Sequence, residues 1–206
     1  ALELAQMPNV EMTKAPVALI FDYASDWAWE TQPQGRNFDY FWLCLQMYQG
    51  LRRLGLSVDI LPPDTDDVSA YKLVLAPAIA TLSPELTASL NSVSGVVLLG
   101  PRANAKTADF ATPVPLPPNL AGLECTIARV ESLPPDLPVP LMSGGNFLHW
   151  REKCEASDVA EFTVDGWPAV IGTGALRYLA GWPDEAARDR LLAAVCAEQG
   201  IATETL

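Results

Sequence analysis

One histidine, His149, serves the whole 206-residue chain, and 13 lysines and arginines face 25 aspartates and glutamates, for a formal net charge of -12. A protein that grips a phosphate backbone needs a clustered basic surface, so this balance argues against nucleic acid as a partner. The four cysteines, Cys44, Cys125, Cys154 and Cys196, are widely scattered and form no C-x-x-C pair. With one histidine beside them they make a poor zinc set, and no metal site is expected. Cys44 and Cys196 fall inside apolar helical stretches, where a thiol behaves as a small core hydrophobe. The expectation is a reduced, cytoplasmic protein with buried free thiols. Apolar runs stay well short of the roughly 18 to 20 residues a membrane helix needs. The opening Ala1-Leu2-Glu3-Leu4-Ala5 lacks the basic and apolar regions of a signal peptide. It also lacks an initiator methionine, and we read the chain as a piece of a longer polypeptide.

Half of the residues are hydrophobic and 18% are charged, enough apolar material for a sizeable core. Pro16 to Asp22 is a short run rich in β-formers, the pattern of a strand buried on both faces. A polar stretch carrying Trp27, Trp29 and Gln32-Pro33-Gln34-Gly35 reads as a long loop. From Asn37, a candidate cap, Phe38, Phe41, Leu45, Tyr48 and Leu51 recur at helical spacing until Gly55. Strands are expected at 56–61, 71–77 and 95–100. A helix starts at Ser83-Pro84-Glu85, with a capping hydroxyl, proline at the first position and an acid facing the dipole. The link at 64–69 is too short for a regular crossover helix. Residues 105–145 read as a proline-rich surface excursion with one strand near 125–130. Three short strands at 160–164, 167–171 and 175–180 follow, then a helix from Asp184 to Gly200. This alternation predicts an α/β domain with an open, mostly parallel sheet and helices on both faces.

Such sheets bind ligands at the carboxyl ends of their strands. No glycine-rich phosphate loop follows any predicted strand, which speaks against nucleotides; for flavin mononucleotide no phosphate cradle is visible, and no cofactor is expected. After the fourth strand comes Gly100-Pro101-Arg102-Ala103, where an amidotransferase or hydrolase would place its Cys or Ser. Arg102 at that edge has five donors for loop carbonyls and reads as structural. His149, between Phe147, Leu148 and Trp150, reads as a packed structural histidine. Asp22, Asp26 and Glu30 in one segment, and Glu124 with Glu131, fit solvated or capping carboxylates better than a glycosidase pair. No catalytic residue is assigned. Phe38 and Phe41 fit a core, whereas Trp27 and Trp29 in a polar loop point to an interface or a sugar platform, against plain folding back onto the domain.

The ordered set Val17-Ala18-Leu19-Ile20-Phe21-Asp22-Tyr23, Trp27, Gln32-Pro33-Gln34-Gly35 and Leu51-Arg52-Arg53-Leu54-Gly55-Leu56 resembles the middle domain of family 42 β-galactosidases. The likeness continues through Gly100-Pro101-Arg102, Lys106-Thr107, Arg129 to Pro134 and Tyr178 to Pro183. It implies a flavodoxin-like fold akin to class I glutamine amidotransferases, with the nucleophile absent. It further implies a three-domain parent in which an N-terminal barrel carries the catalytic glutamates and binds most of the β-galactoside, and a small β-sandwich follows this domain. On that reading residues 1–14 connect from the barrel, residues 15–206 form the trimerisation domain, and the parent is a homotrimer. Trp27, Trp29, Gln32 and Gln34 are then candidates for an interface or for a wall of the active-site mouth. The competing expectations are a free-standing amidotransferase-like enzyme, which needs a nucleophile, and a flavodoxin-like binding module, whose flavin would colour the protein yellow.

Overall fold

A computed structural model describes residues 14–204, so the expected connector at 1–14 lies almost wholly outside the described residues. Seven strands form the main sheet: β1 (Val17–Ile20), β2 (Val58–Leu61), β3 (Leu73–Ala76), β4 (Val96–Leu99), β9 (Val159–Phe162), β10 (Pro168–Ile171) and β11 (Leu176–Leu179). Their order is β2-β1-β3-β4-β11-β10-β9. The five strands from β2 to β11 pair in parallel, and β10 and β9 continue the sheet antiparallel. Every residue of β1, β3 and β4 is buried, which is why these strands are unbroken aliphatic runs without alternation.

Four helices accompany the strands: α1 (Tyr23–Thr31), α2 (Tyr40–Arg53), α3 (Pro84–Asn91) and α4 (Glu185–Glu198). The chain steps from β1 outward to β2, then back across β1 to β3 and on to β4. Parallel crossovers are right-handed, so this reversal puts α2 and α3 on opposite faces of the sheet. α1 and α4 both pack against α2. The segment read as a loop around Trp27 is therefore helix. Asp22 starts it, its carboxylate accepting from the amides of Ala24 and Ser25, and Ser25, Ala28 and Trp29 form its buried stripe. The next helix is capped by Asp39, not Asn37, through a 2.7 Å bond from the Trp42 amide. Ser83 and Asp184 cap α3 and α4 as the sequence predicts.

The larger departure is a second sheet, in the order β12-β8-β6-β5, built from β5 (Pro118–Leu120), β6 (Leu123–Ser132), β8 (Asn146–Ala156) and β12 (Gly181–Pro183). The short β7 (Val139–Pro140) pairs with β8 off this path. The proline-rich stretch is thus partly sheet. β8 escapes a reading by alternation because Arg151 and Glu152 are buried side by side among apolar residues. Phe38, Trp150 and Trp182 meet edge to face, with ring centroids 5.6–5.8 Å apart, and carry the core into this second sheet.

Candidate functional site

The strand order reverses between β1 and β3, and the crevice at their carboxyl ends is where an open α/β sheet takes a ligand. Here α1 fills it. The Trp29 indole donates to the Ala78 carbonyl at 2.6 Å, and the Ser25 hydroxyl accepts from the Ala80 amide at 2.8 Å. Trp29 is 1% exposed, so it is an inward plug and the expectation of a surface role fails for its side chain in this chain. Its packing follows from helical phase: Ser25, Ala28 and Trp29 share one face, while Tyr23 and Trp27 point the other way.

On that other face Trp27 is 64% exposed and Tyr23 66%. Phe41, read as core from its spacing, is instead 55% exposed on the neighbouring helix. The end of β1 ties these rings together. Phe21 meets Tyr23 edge-on at 5.0 Å and Phe41 at 6.0 Å, and Tyr23 reaches Trp27 at 6.4 Å. Phe21, Tyr23 and Phe41, with Leu19, Tyr48 and Ile60, line an open groove of about 380 Å³ between α1, α2 and edge strand β2, and Trp27 stands beside it against Tyr23. Asp26 lies on the same helix; partial burial, then Glu30 and Asp39, hold its carboxyl above the usual range. Exposed aromatics in contact beside a sheet edge make an apolar patch of the kind that marks contact surfaces.

Gln32 and Gln34 follow α1 and are held by their backbones. The Gln32 carbonyl accepts from Arg102 Nη2 at 2.9 Å and the Gln34 carbonyl from the Ser132 hydroxyl at 2.7 Å. Arg102 Nη1 donates to the Pro33 carbonyl at 2.7 Å. The guanidinium is 3.7 Å from the centre of the Trp29 ring, 4.5 Å from Phe38 and 4.7 Å from Trp150. Arg102 stands at φ 63 in the turn after β4, the strained position at which a nucleophile elbow would present its Ser or Cys. Burial lowers its pKa to about 10, partly offset by Glu152 and Tyr178, so it stays charged at neutral pH. Glu152 on β8 is fully enclosed. It accepts from the Arg102 amide at 3.1 Å, the Trp150 indole at 3.4 Å and the Tyr178 hydroxyl at 2.6 Å. Burial pushes its carboxyl upward against those bonds. Arg102 is legible in the sequence from its place after a strand, but nothing there points to Glu152.

His149, at φ 58, stacks edge-on against Trp182 at 5.3 Å, and burial lowers its pKa. Among the described residues no side chain hydrogen-bonds its Nδ1. Asp22 caps α1, Glu124 bonds Ser157, and Glu131 is paired with Arg151 and Lys153. Among the described residues no group of three or more His, Cys, Asp or Glu is placed to hold a metal ion. No helix among them is long and apolar enough to cross a membrane.

An open α/β sheet with an arginine at its elbow, a tryptophan in its ligand crevice and an aromatic groove on its flank defines a scaffold domain that presents surface. Its relatives are specific. The family described as the beta-galactosidase trimerisation domain matches residues 15–202, and the chain belongs to that family. A beta-galactosidase of Thermus thermophilus is 39% identical over 98% of the chain, which covers 32% of that protein. One from Halorubrum lacusprofundi is 31% identical over 97% of the chain and 33% of its own length. Among solved structures, the beta-galactosidase of the psychrophilic Marinomonas ef1 superposes with a TM-score of 0.90 at 35% identity, over 99% of this chain and 31% of that one. The chain spans about a third of the length of the curated relatives it matches.

Proposed function

We propose that the chain is the non-catalytic assembling domain of a β-galactosidase, joining three copies of a longer polypeptide whose barrel performs the hydrolysis. The observation that carries this reading is the family match over residues 15–202, joined to coverage of only a third of each relative. A three-fold ring needs a heterologous contact, one patch meeting a different patch on the neighbour. The groove of Tyr23, Phe41 and Ile60, with the exposed Trp27 beside it, is our choice for one of the two. Gln32 and Gln34, at the end of the same helix, extend it toward the mouth of the neighbouring barrel. Arg102 serves this role from inside, by fixing the turn that follows α1. The four buried free thiols suit a cytoplasmic location.

The competing readings have less support. A flavodoxin-like module needs the crevice that Trp29 and Ser25 occupy, and an amidotransferase-like enzyme needs a nucleophile where Arg102 stands. Assay of the purified chain against a chromogenic β-galactoside tests the proposal. It should show no turnover, whereas the polypeptide extended through its barrel should hydrolyse the substrate and sediment with the mass of three chains. Turnover by the chain itself, lost when one of its own acids is changed, would overturn the reading.

A further inference from the structure

A second opening lies away from the aromatic groove, between the turn after β4, the segment after α1, and strands β6 and β8. Its volume is about 250 Å³, and Trp29, Arg102, Lys106, Arg129, Trp150 and Glu152 are among its walls. Three of these six are cations in a chain of net charge -12. The one carboxylate has its oxygens taken by the Arg102 amide, the Trp150 indole and the Tyr178 hydroxyl. Cations thus outnumber carboxylates three to one in this pocket of an acidic protein, an arrangement that concentrates anions.

Arg102 sharpens the point. It is 2% exposed, yet no carboxylate among the described residues forms an ion pair with its guanidinium. Two hydrogen bonds go to the Pro33 and Gln32 carbonyls, out of five N–H donors. Buried charges are ordinarily paired. Lys106 Nζ makes one long bond, 3.4 Å to the Phe110 carbonyl, and Arg129 forms no ion pair among the described residues. Arg102, Lys106 and Arg129 thus share one pocket beside the turn after β4, with Glu152 as its single carboxylate.

We propose that this pocket binds a carboxylate, supplied by a small soluble acid of about monosaccharide size, with Arg102 at its floor and Lys106 and Arg129 at its rim. Carboxylates match the planar fork of a guanidinium and make stronger bonds to it than neutral acceptors do. The pocket shares no wall residue with the aromatic groove, and its test reads binding directly, so failure here leaves the assembly reading standing.

Isothermal titration of the protein with D-galacturonate, acetate and D-galactose tests the proposal, with the two acids measured as sodium salts against sodium chloride. Galacturonate should bind saturably at one site, while galactose, which has the ring without the carboxylate, should not. A hexaglutamate peptide forms a separate arm. Binding of the peptide without either small acid would overturn the small-acid source and assign the pocket to a protein carboxylate. Lys106→Ala and Arg129→Ala, both outside the core, should together weaken galacturonate binding about tenfold or more while leaving the melting temperature unchanged. Undiminished affinity in that double variant, or no binding of any acid to the parent protein, would overturn the site.

Discussion

Replacing Arg102 by alanine removes a side chain that ties the turn after β4 to the segment after α1. Two hydrogen bonds from a charged donor to the Pro33 and Gln32 carbonyls disappear, each worth about 1.5–3 kcal/mol. Stacking on the Trp29, Phe38 and Trp150 rings goes with them, at about 0.5–2 kcal/mol for a cation on an aromatic face. Relief from holding a charge out of water offsets part of that loss. We take the net cost as about 3 kcal/mol, near the upper end for single substitutions. For a chain of this size that is a fall in Tm of about 6–12 °C. Thermal unfolding followed by circular dichroism gives the number directly. Arg102→Met separates the causes, because it fills most of the space and leaves both carbonyls unpaired; it should cost about 1–3 kcal/mol through those groups alone. A Tm for Arg102→Ala within about 1 °C of the parent would show that the cage contributes nothing to stability.

Two further outcomes follow from the charges and thiols. Burial would raise the Glu131 and Asp165 carboxyls, but hydrogen bonds from Lys153 and Arg151 to the first, and from Thr163 and Arg151 to the second, outweigh it and lower both. A lowered folded-state pKa gives stability that is present above the unfolded value and lost as pH falls through the folded one. Melts from pH 6 to pH 2 should therefore show a drop beginning near the ordinary carboxylate range of about 4, shallower in the Glu131→Gln, Asp165→Asn variant. Glu152, whose carboxyl is raised, contributes with the opposite sign, and Glu152→Gln isolates it. All four thiols are buried, and burial raises Cys44 to about 12 and Cys196 to about 11. Ellman's reagent at pH 8 should leave the native protein unlabelled and modify four thiols after denaturation; rapid labelling of the native state would contradict that burial.

The parallel sheet was legible because β1, β3 and β4 are aliphatic runs with no charge to confuse them. Capping side chains placed α3 and α4 to within a residue or two. α1 was misread because two indoles and two acids in nine residues look polar, although the Asp22 cap and the Ser25, Ala28, Trp29 stripe were there to be seen. β8 was missed for a different reason. A strand that buries Arg151 and Glu152 depends on partners distant in sequence, among them Glu131, Asp165 and Tyr178, and local pattern carries no trace of them. The aromatic surface was half legible: Trp27 is exposed, while helical phase turns Trp29 inward and Phe41 outward. Where a helical side chain points depends on phase, and each residue along the helix turns it by about 100°.

The central claim is that copies associate through the aromatic groove, and sedimentation velocity on the barrel-containing polypeptide with Tyr23→Ala and Trp27→Ala tests it most directly. Both side chains lie outside the core, so the variant should keep its fold. An indole anchor in a packed interface is commonly worth about 2 kcal/mol or more on truncation. Two aromatic anchors lost from each of three interfaces should then turn a species of three chains into monomer at concentrations where the parent protein is still assembled. A variant that retains the mass of three chains down to nanomolar concentration would contradict the account.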